Sequence, residues 1–305
     1  MRAVVLGLAV MAVALAAAPP PVAALRFDGA RLLVAGGNTV GIAAAPKWTP
    51  EASITSRLAQ VFDTAVSPDG TLLAVAGGTP AVTGAVEIYD AGTRALLRTT
   101  ARAGDLIMAV VFSPDGKRLA AASADHNIYV VAASSGDRIE RLTGHVGPVL
   151  SAAYSPDGTI LATGSADRSL RLWDAQGKLL RSLQNHAGAV SGAVFSSDSQ
   201  LLYSAAEDAT VRVWVVSNGR MKHIVRGLEA PVHGLAVTPS RHRLVAACAD
   251  GGLRIVNVET GAIVRTVRGG SGESPWAHAA AVSGDGRWIA WADAAGQLRV
   301  EAFPE

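Results

Sequence analysis

The chain has 305 residues, half of them hydrophobic but only 5% aromatic, and its 27 Lys and Arg against 25 Asp and Glu leave a formal charge of +2. No run of five or six like charges occurs, so the electrostatic footprint of a phosphate-backbone binder is missing and no nucleic-acid partner is expected. A single cysteine, Cys248, excludes an internal disulfide, covalent haem attachment and thiolate zinc sites, each of which needs more than one.

In chain order, residues 1–24 read as an export signal. Arg2 supplies a short basic region, Ala3 to Ala18 are apolar without a break, and Pro19, Pro20 and Pro21 follow. The run falls short of the roughly 20 residues needed to span a bilayer, and the prolines stop a helix, so no stable membrane insertion is expected after cleavage. Small residues before Ala18 and before Ala24 suit cleavage at either point. Pro19 disfavours the first, and an uncleaved anchor is the alternative. Export places the mature chain, 25–305, in the periplasm or outside the cell.

A short turn then recurs. Asp28-Gly29 opens the series, followed by Ser67-Pro68-Asp69-Gly70, Ser113-Pro114-Asp115-Gly116 and Ser155-Pro156-Asp157-Gly158. Degenerate copies follow at Ser196-Ser197-Asp198-Ser199, Thr238-Pro239-Ser240-Arg241 and Ser283-Gly284-Asp285-Gly286. The intervals between Asp positions run from 41 to 46 residues, the period of a four-stranded propeller blade. Proline presets φ and glycine accepts a positive φ, so each copy is a tight reversal between strands. In the fourth copy, strands are expected at Val149 to Tyr154, Ile160 to Gly164, Ser169 to Trp173 and Leu179 to Leu183, with no room for a crossover helix.

The expected architecture is therefore all-β: a seven-bladed propeller of four-stranded antiparallel blades forming one domain over 25–305, with six blades as the alternative. After the last turn only Trp288 to Trp291 and Leu298 to Phe303 remain as strands. The first inner strand aligns at about Val22 to Leu25, so either cleavage lies before Ala24 or the seventh blade has three strands. Two stretches lengthen the repeat on one face, Gly77 to Gly84 and Gly269 to Trp276, and Ala45 to Pro50 with Trp48 lengthens the other.

The fourth copy resembles the WD-repeat family. It carries Gly144-His145 ahead of its first strand, Ser165 and Asp167 around the second turn, and Trp173-Asp174 closing the third strand. The resemblance implies a hydrogen-bonded tetrad in which Asp167 accepts from His145, His145 contacts Ser165, and Ser165 reaches the Trp173 indole. The fifth copy has His186, Asp208 and Trp214, but Ala206 at the Ser position is expected to break the chain. The third keeps Ser123 and Asp125 with Ala103 and Val131 where His and Trp would sit; the sixth has Asp250 with Cys248; the second keeps Tyr89-Asp90.

None of the seven histidines forms a ligand pair at metal-binding spacing, Gly-x-Ser-x-Gly is absent, and the inner strands offer no set of carboxylates. No catalytic residue, metal or cofactor is expected. The fold and these absences point to a non-catalytic scaffold that binds a protein or peptide partner of the cell envelope through its loop face. The alternatives are a propeller-type hydrolase directed at lactones or sugars, or an envelope ligand-binding module. Candidate contact residues on that face are Trp276, Arg168, His126, Glu207, Asp105 and Glu229. Each charged one also reads as an ordinary solvated loop residue.

Overall fold

The computed structural model describes residues 22–238, 243–267, 277–293 and 297–303. Their regular structure is entirely β-strand, arranged as six four-stranded antiparallel sheets and one three-stranded sheet, each a meander in chain order. The innermost strands are Val22–Asp28, Gln60–Val66, Ile107–Phe112, Val149–Tyr154, Val190–Phe195, Val232–Val237 and Ala277–Val282. Each lies against the innermost strands of the blades on either side, and the first lies against the last. The ring is closed and has seven blades, which sets the six-bladed alternative aside.

The recurrent turn owes its shape to its own side chains. Ser67 Oγ donates to Asp69 Oδ1 at 2.5 Å and accepts the Leu72 amide at 2.9 Å, while Asp69 Oδ1 accepts the Thr71 amide at 3.1 Å. The reversal then needs a left-handed residue, and Gly70 supplies it at φ +72°. The degenerate copy at Ser196 and Asp198 keeps the side-chain bonds but holds Ser199 at φ +61°. That conformation costs an L-residue on the order of 1 kcal/mol. The Ser199 hydroxyl accepts the Asp157 amide of the preceding turn at 3.1 Å, which offsets part of that cost.

Stability comes from burial between blades. Among the described residues there are seven apolar clusters, and each is shared by one pair of neighbouring blades, the seventh and first included. The second strand of a blade is covered on both faces, so Arg118–Ser123 and Arg243–Cys248 bury every residue after the first. Alanine fills these strands because the wedge is narrow near the axis: Ala120, Ala121, Ala122, Ala246 and Ala247 are fully enclosed.

The first and last described strands belong to adjacent blades and pair only within their own. Val22–Asp28 pairs within the first blade, and the seventh contributes three strands ending with Leu298–Ala302. The seam between them is packed by Trp48, whose ring stands edge-on to both Phe27 and Trp288 with centroids 5.4 Å away in each case. Trp48 is 3% exposed, so it is a lid on this seam and not a surface contact. Val22 is buried in the same cluster, and cleavage after Ala24 would cut into the first strand.

Candidate functional site

Antiparallel meanders place two sets of connections at one end of the axis: the turns joining second to third strands, and the links between blades. This is the face on which the contact residues were expected. What fixes its loops differs from blade to blade.

In the fourth blade a chain of polar groups runs from core to surface. The Trp173 indole donates to Thr163 Oγ1 at 2.9 Å, Thr163 lies 2.9 Å from His145 Nε2, and His145 Nδ1 lies 2.8 Å from Asp167 Oδ2. Asp167 also accepts from the Ser169 hydroxyl at 2.6 Å and the Val146 amide at 3.1 Å, which ties the incoming loop to the turn. A directional chain results: indole to Thr163, Thr163 to Nε2, and Nδ1–H to carboxylate. It requires a neutral imidazole. Burial lowers the His145 pKa and outweighs the opposing pull of Asp167. Burial alone would raise the Asp167 carboxyl, but the hydrogen bonds from Ser169, His145 and the Val146 amide hold it at about 2.

The expected role of Ser165 is corrected. Its hydroxyl donates to the Gly147 and Pro148 carbonyls at 3.0 and 2.8 Å and accepts the Asp167 amide at 3.1 Å, so it shapes the loop and does not link His to Trp. The residue that does so is Thr163, two positions earlier on the same side of the strand. The fifth blade is corrected with it, because Ala206 breaks nothing. Ser204 accepts the Trp214 indole at 2.9 Å and lies 2.8 Å from His186 Nε2, with His186 Nδ1 at 2.9 Å from Asp208. A hydroxyl ten residues ahead of each tryptophan was the available signal.

Other blades reach the same end with other groups. In the second, Glu87 is 1% exposed and accepts from the Ser56 hydroxyl at 2.7 Å and Tyr89 at 2.6 Å, with the Arg57 amide at 3.2 Å. In the third, Asp125 accepts from Tyr129 at 2.7 Å and the Gly104 amide at 3.0 Å. In the sixth, the buried Arg254 forks onto Asp250, with one bond at 2.6 Å, and stands 4.0 Å from Glu229. Burial raises the enclosed Cys248 thiol to about 11, which leaves it unreactive.

Three of the candidate contact residues occupy strained turn positions. His126 (φ +74°) and Arg168 (φ +69°) hold the left-handed corner between second and third strands, and Glu229 (φ +63°) sits in a link between blades; all three are exposed. Glu207 is exposed beside Asp208. Asp105 is half-buried and has structural work, accepting the Ala81 amide at 2.8 Å and the Leu106 amide at 2.7 Å. These bonds seat the long hairpin of the second blade. A side chain at Gly84 would put its Cβ 2.1 Å from the Asp105 carbonyl. Trp276, like all of Gly269 to Trp276, lies outside the described residues.

Sequence reasoning missed the apolar tips of this face. Val146 is 80% exposed although its own amide is held by Asp167, and Val82 is 64% exposed at the hairpin end. It also missed Asp63, an acid on the axis that accepts the Thr64 and Val110 amides at 2.8 and 2.9 Å and lies 3.9 Å from Arg26. Among the described residues no group of three or more His, Cys, Asp or Glu is placed to hold a metal ion.

Comparison with known proteins agrees with this architecture. The family model for "WD domain, G-beta repeat" matches residues 95–131, 136–174 and 177–215. Each match starts just ahead of the outermost strand of one blade and ends in the third strand of the next, so a sequence repeat bridges two blades. The chain is 32% identical over 88 residues to the Intraflagellar transport protein 122 homolog of Xenopus tropicalis; the match covers 28% of this chain and 7% of that protein. The likeness is thus confined to a small part of the relative's length.

Proposed function

The chain is a WD-repeat β-propeller, and from that premise we propose that it is a non-catalytic scaffold of the cell envelope that docks a protein or peptide on its loop face. The observation that carries this reading is the pairing of rigidity with exposed apolar surface at Val146. Its backbone is fixed by a carboxylate belonging to a buried network, yet its side chain stands in solvent. A loop already ordered gives up less entropy on binding, and such an apolar tip flanked by charges suits the centre of an interface. Arg168, Glu207, His126 and Glu229 supply exposed polar groups on the same face. The apolar run Ala3 to Ala18, read from the sequence as an export signal, is what supports a periplasmic or extracellular location.

The test is capture of a native partner from an envelope extract, with mass spectrometry. Replacing Val146 by Asp together with Arg168 by Glu is expected to lower capture by about thirtyfold or more, the size of one interface hot spot. The melting temperature should be unchanged. Replacing Lys178, on the opposite face, should have no effect on capture. Equal capture by all three proteins would contradict the proposal.

A further inference from the structure

Every inner strand breaks register at the same place. Its second or third residue is bulged out between two paired neighbours, as at Phe62 between Val61 and Asp63 and at Leu150 between Val149 and Ser151. A bulge re-aims the extra side chain. The residue before it is buried in each of the first six blades, while the bulged ones, Ala23, Phe62, Met108, Leu150, Ser191 and His233, line one cavity on the axis at the loop-face end. The side chain of the seventh, His278, is outside the description.

The wall so formed is two-sided. Phe62, Met108 and Leu150 come from three consecutive blades and make an apolar arc, while Ser191 and His233 from the next two make a polar one, the Ser191 hydroxyl donating to the Val232 carbonyl and keeping its oxygen as an acceptor. Below them the residues are small, with Ala109, Gly192 and Gly234 leaving the space open. The one carboxylate there, Asp63, is already matched by two amides and by Arg26. The cavity measures about 230 Å³, below the roughly 300–1,000 Å³ of sites that enclose a drug-sized ligand. That is room for one large side chain. With its charges matched, the recess gives a cation no advantage over a neutral group.

We infer that this axial recess receives a single uncharged aromatic group with a polar edge, an indole or a phenol, presented by the docked partner. The ring packs on Phe62, Met108 and Leu150, and its N–H or O–H turns toward the Ser191 hydroxyl oxygen, which can accept it. Methionine and phenylalanine side by side give an aromatic ring a favourable wall.

The inference rests on the loop face being the docking surface, but its test uses no partner. N-acetyl-L-tryptophanamide and N-acetyl-L-lysinamide are titrated against the full chain by saturation-transfer NMR. The tryptophan probe is expected to bind saturably at millimolar concentration, at least tenfold more tightly than the lysine probe, and to lose at least tenfold in Phe62→Ala/Leu150→Ala. Met108→Glu, a second variant at a half-exposed position, should lose the same binding. No saturable binding to the native chain, equal binding of the two probes, or binding unchanged in folded variants would overturn it. Failure here with capture intact would discard the recess alone, whereas probe binding with no capture would discard the scaffold reading.

Discussion

The fourth and fifth blades and the seam between the seventh and first solve one problem, fastening a wedge to its neighbour, with opposite chemistry. In the former, tryptophan is the first donor of a polar chain reaching the surface, Trp173 to Thr163 and Trp214 to Ser204. At the seam, Trp48 is as deeply buried but its indole nitrogen has no hydrogen-bond partner, and it contributes ring contacts alone. A buried indole therefore acts as a register pin in one region and as filler in the other. The polar chain also reaches outward to fix a loop, and the seam does not.

The largest effect that would test this contrast is truncation. Trp214→Ala and Trp48→Ala are each expected to cost about 3–5 kcal/mol, since both empty a large buried site. Phenylalanine separates them. Trp214→Phe should still cost about 1–3 kcal/mol by leaving the Ser204 and His186 chain without its donor, whereas Trp48→Phe should cost under about 1.5 kcal/mol, because no bond is lost. Denaturant unfolding measures all four, and equal losses for the two phenylalanine variants would erase the distinction.

Acidification should act on the networked blades in two steps. Burial depresses the folded pKa of His145 and His186 below the ordinary value of 6.5, so their stabilising contribution is complete above that pH and falls away below it. Asp167, held at about 2 against an ordinary 3.8, adds a second loss as pH falls from 3.8 toward 2. The denaturant midpoint should drop between pH 7 and 5, and a His145→Asn variant, already weakened, should drop less. Imidazole resonances titrating at or above 6.5 would contradict the neutral-histidine chain. The smallest effect belongs to the turn corner. Arg168→Gly relieves a left-handed residue at φ +69° and should leave stability unchanged or slightly raised, within about 0.5 kcal/mol.

The repeat was legible because its turn is local: Ser, Pro, Asp and Gly bond to one another within a few residues, and the period follows by counting. Blade number and strand order came with it. The tetrad was half legible. His, Asp and Trp are distinctive residue types, but Thr163 and Ser165 lie on one side of the same strand two residues apart, and only the packing of the indole decides between their hydroxyls. The replacements at Glu87 and at Asp250 with Arg254 were hidden for the same reason, since each joins groups that share a blade but no motif. Alanine-rich second strands blurred alternation because both of their faces are buried, as at Ala120 to Ala122. The bulged ring on the axis leaves no mark in sequence, because its members share a register and not a residue type.

The loop face as docking surface is most directly tested by site-specific photocrosslinking in the living cell, with p-benzoylphenylalanine placed at Arg168 on that face and at Gln176 on the opposite one. The account predicts a discrete crosslinked adduct from position 168 and none from 176. An adduct from 176 with none from 168 would contradict it.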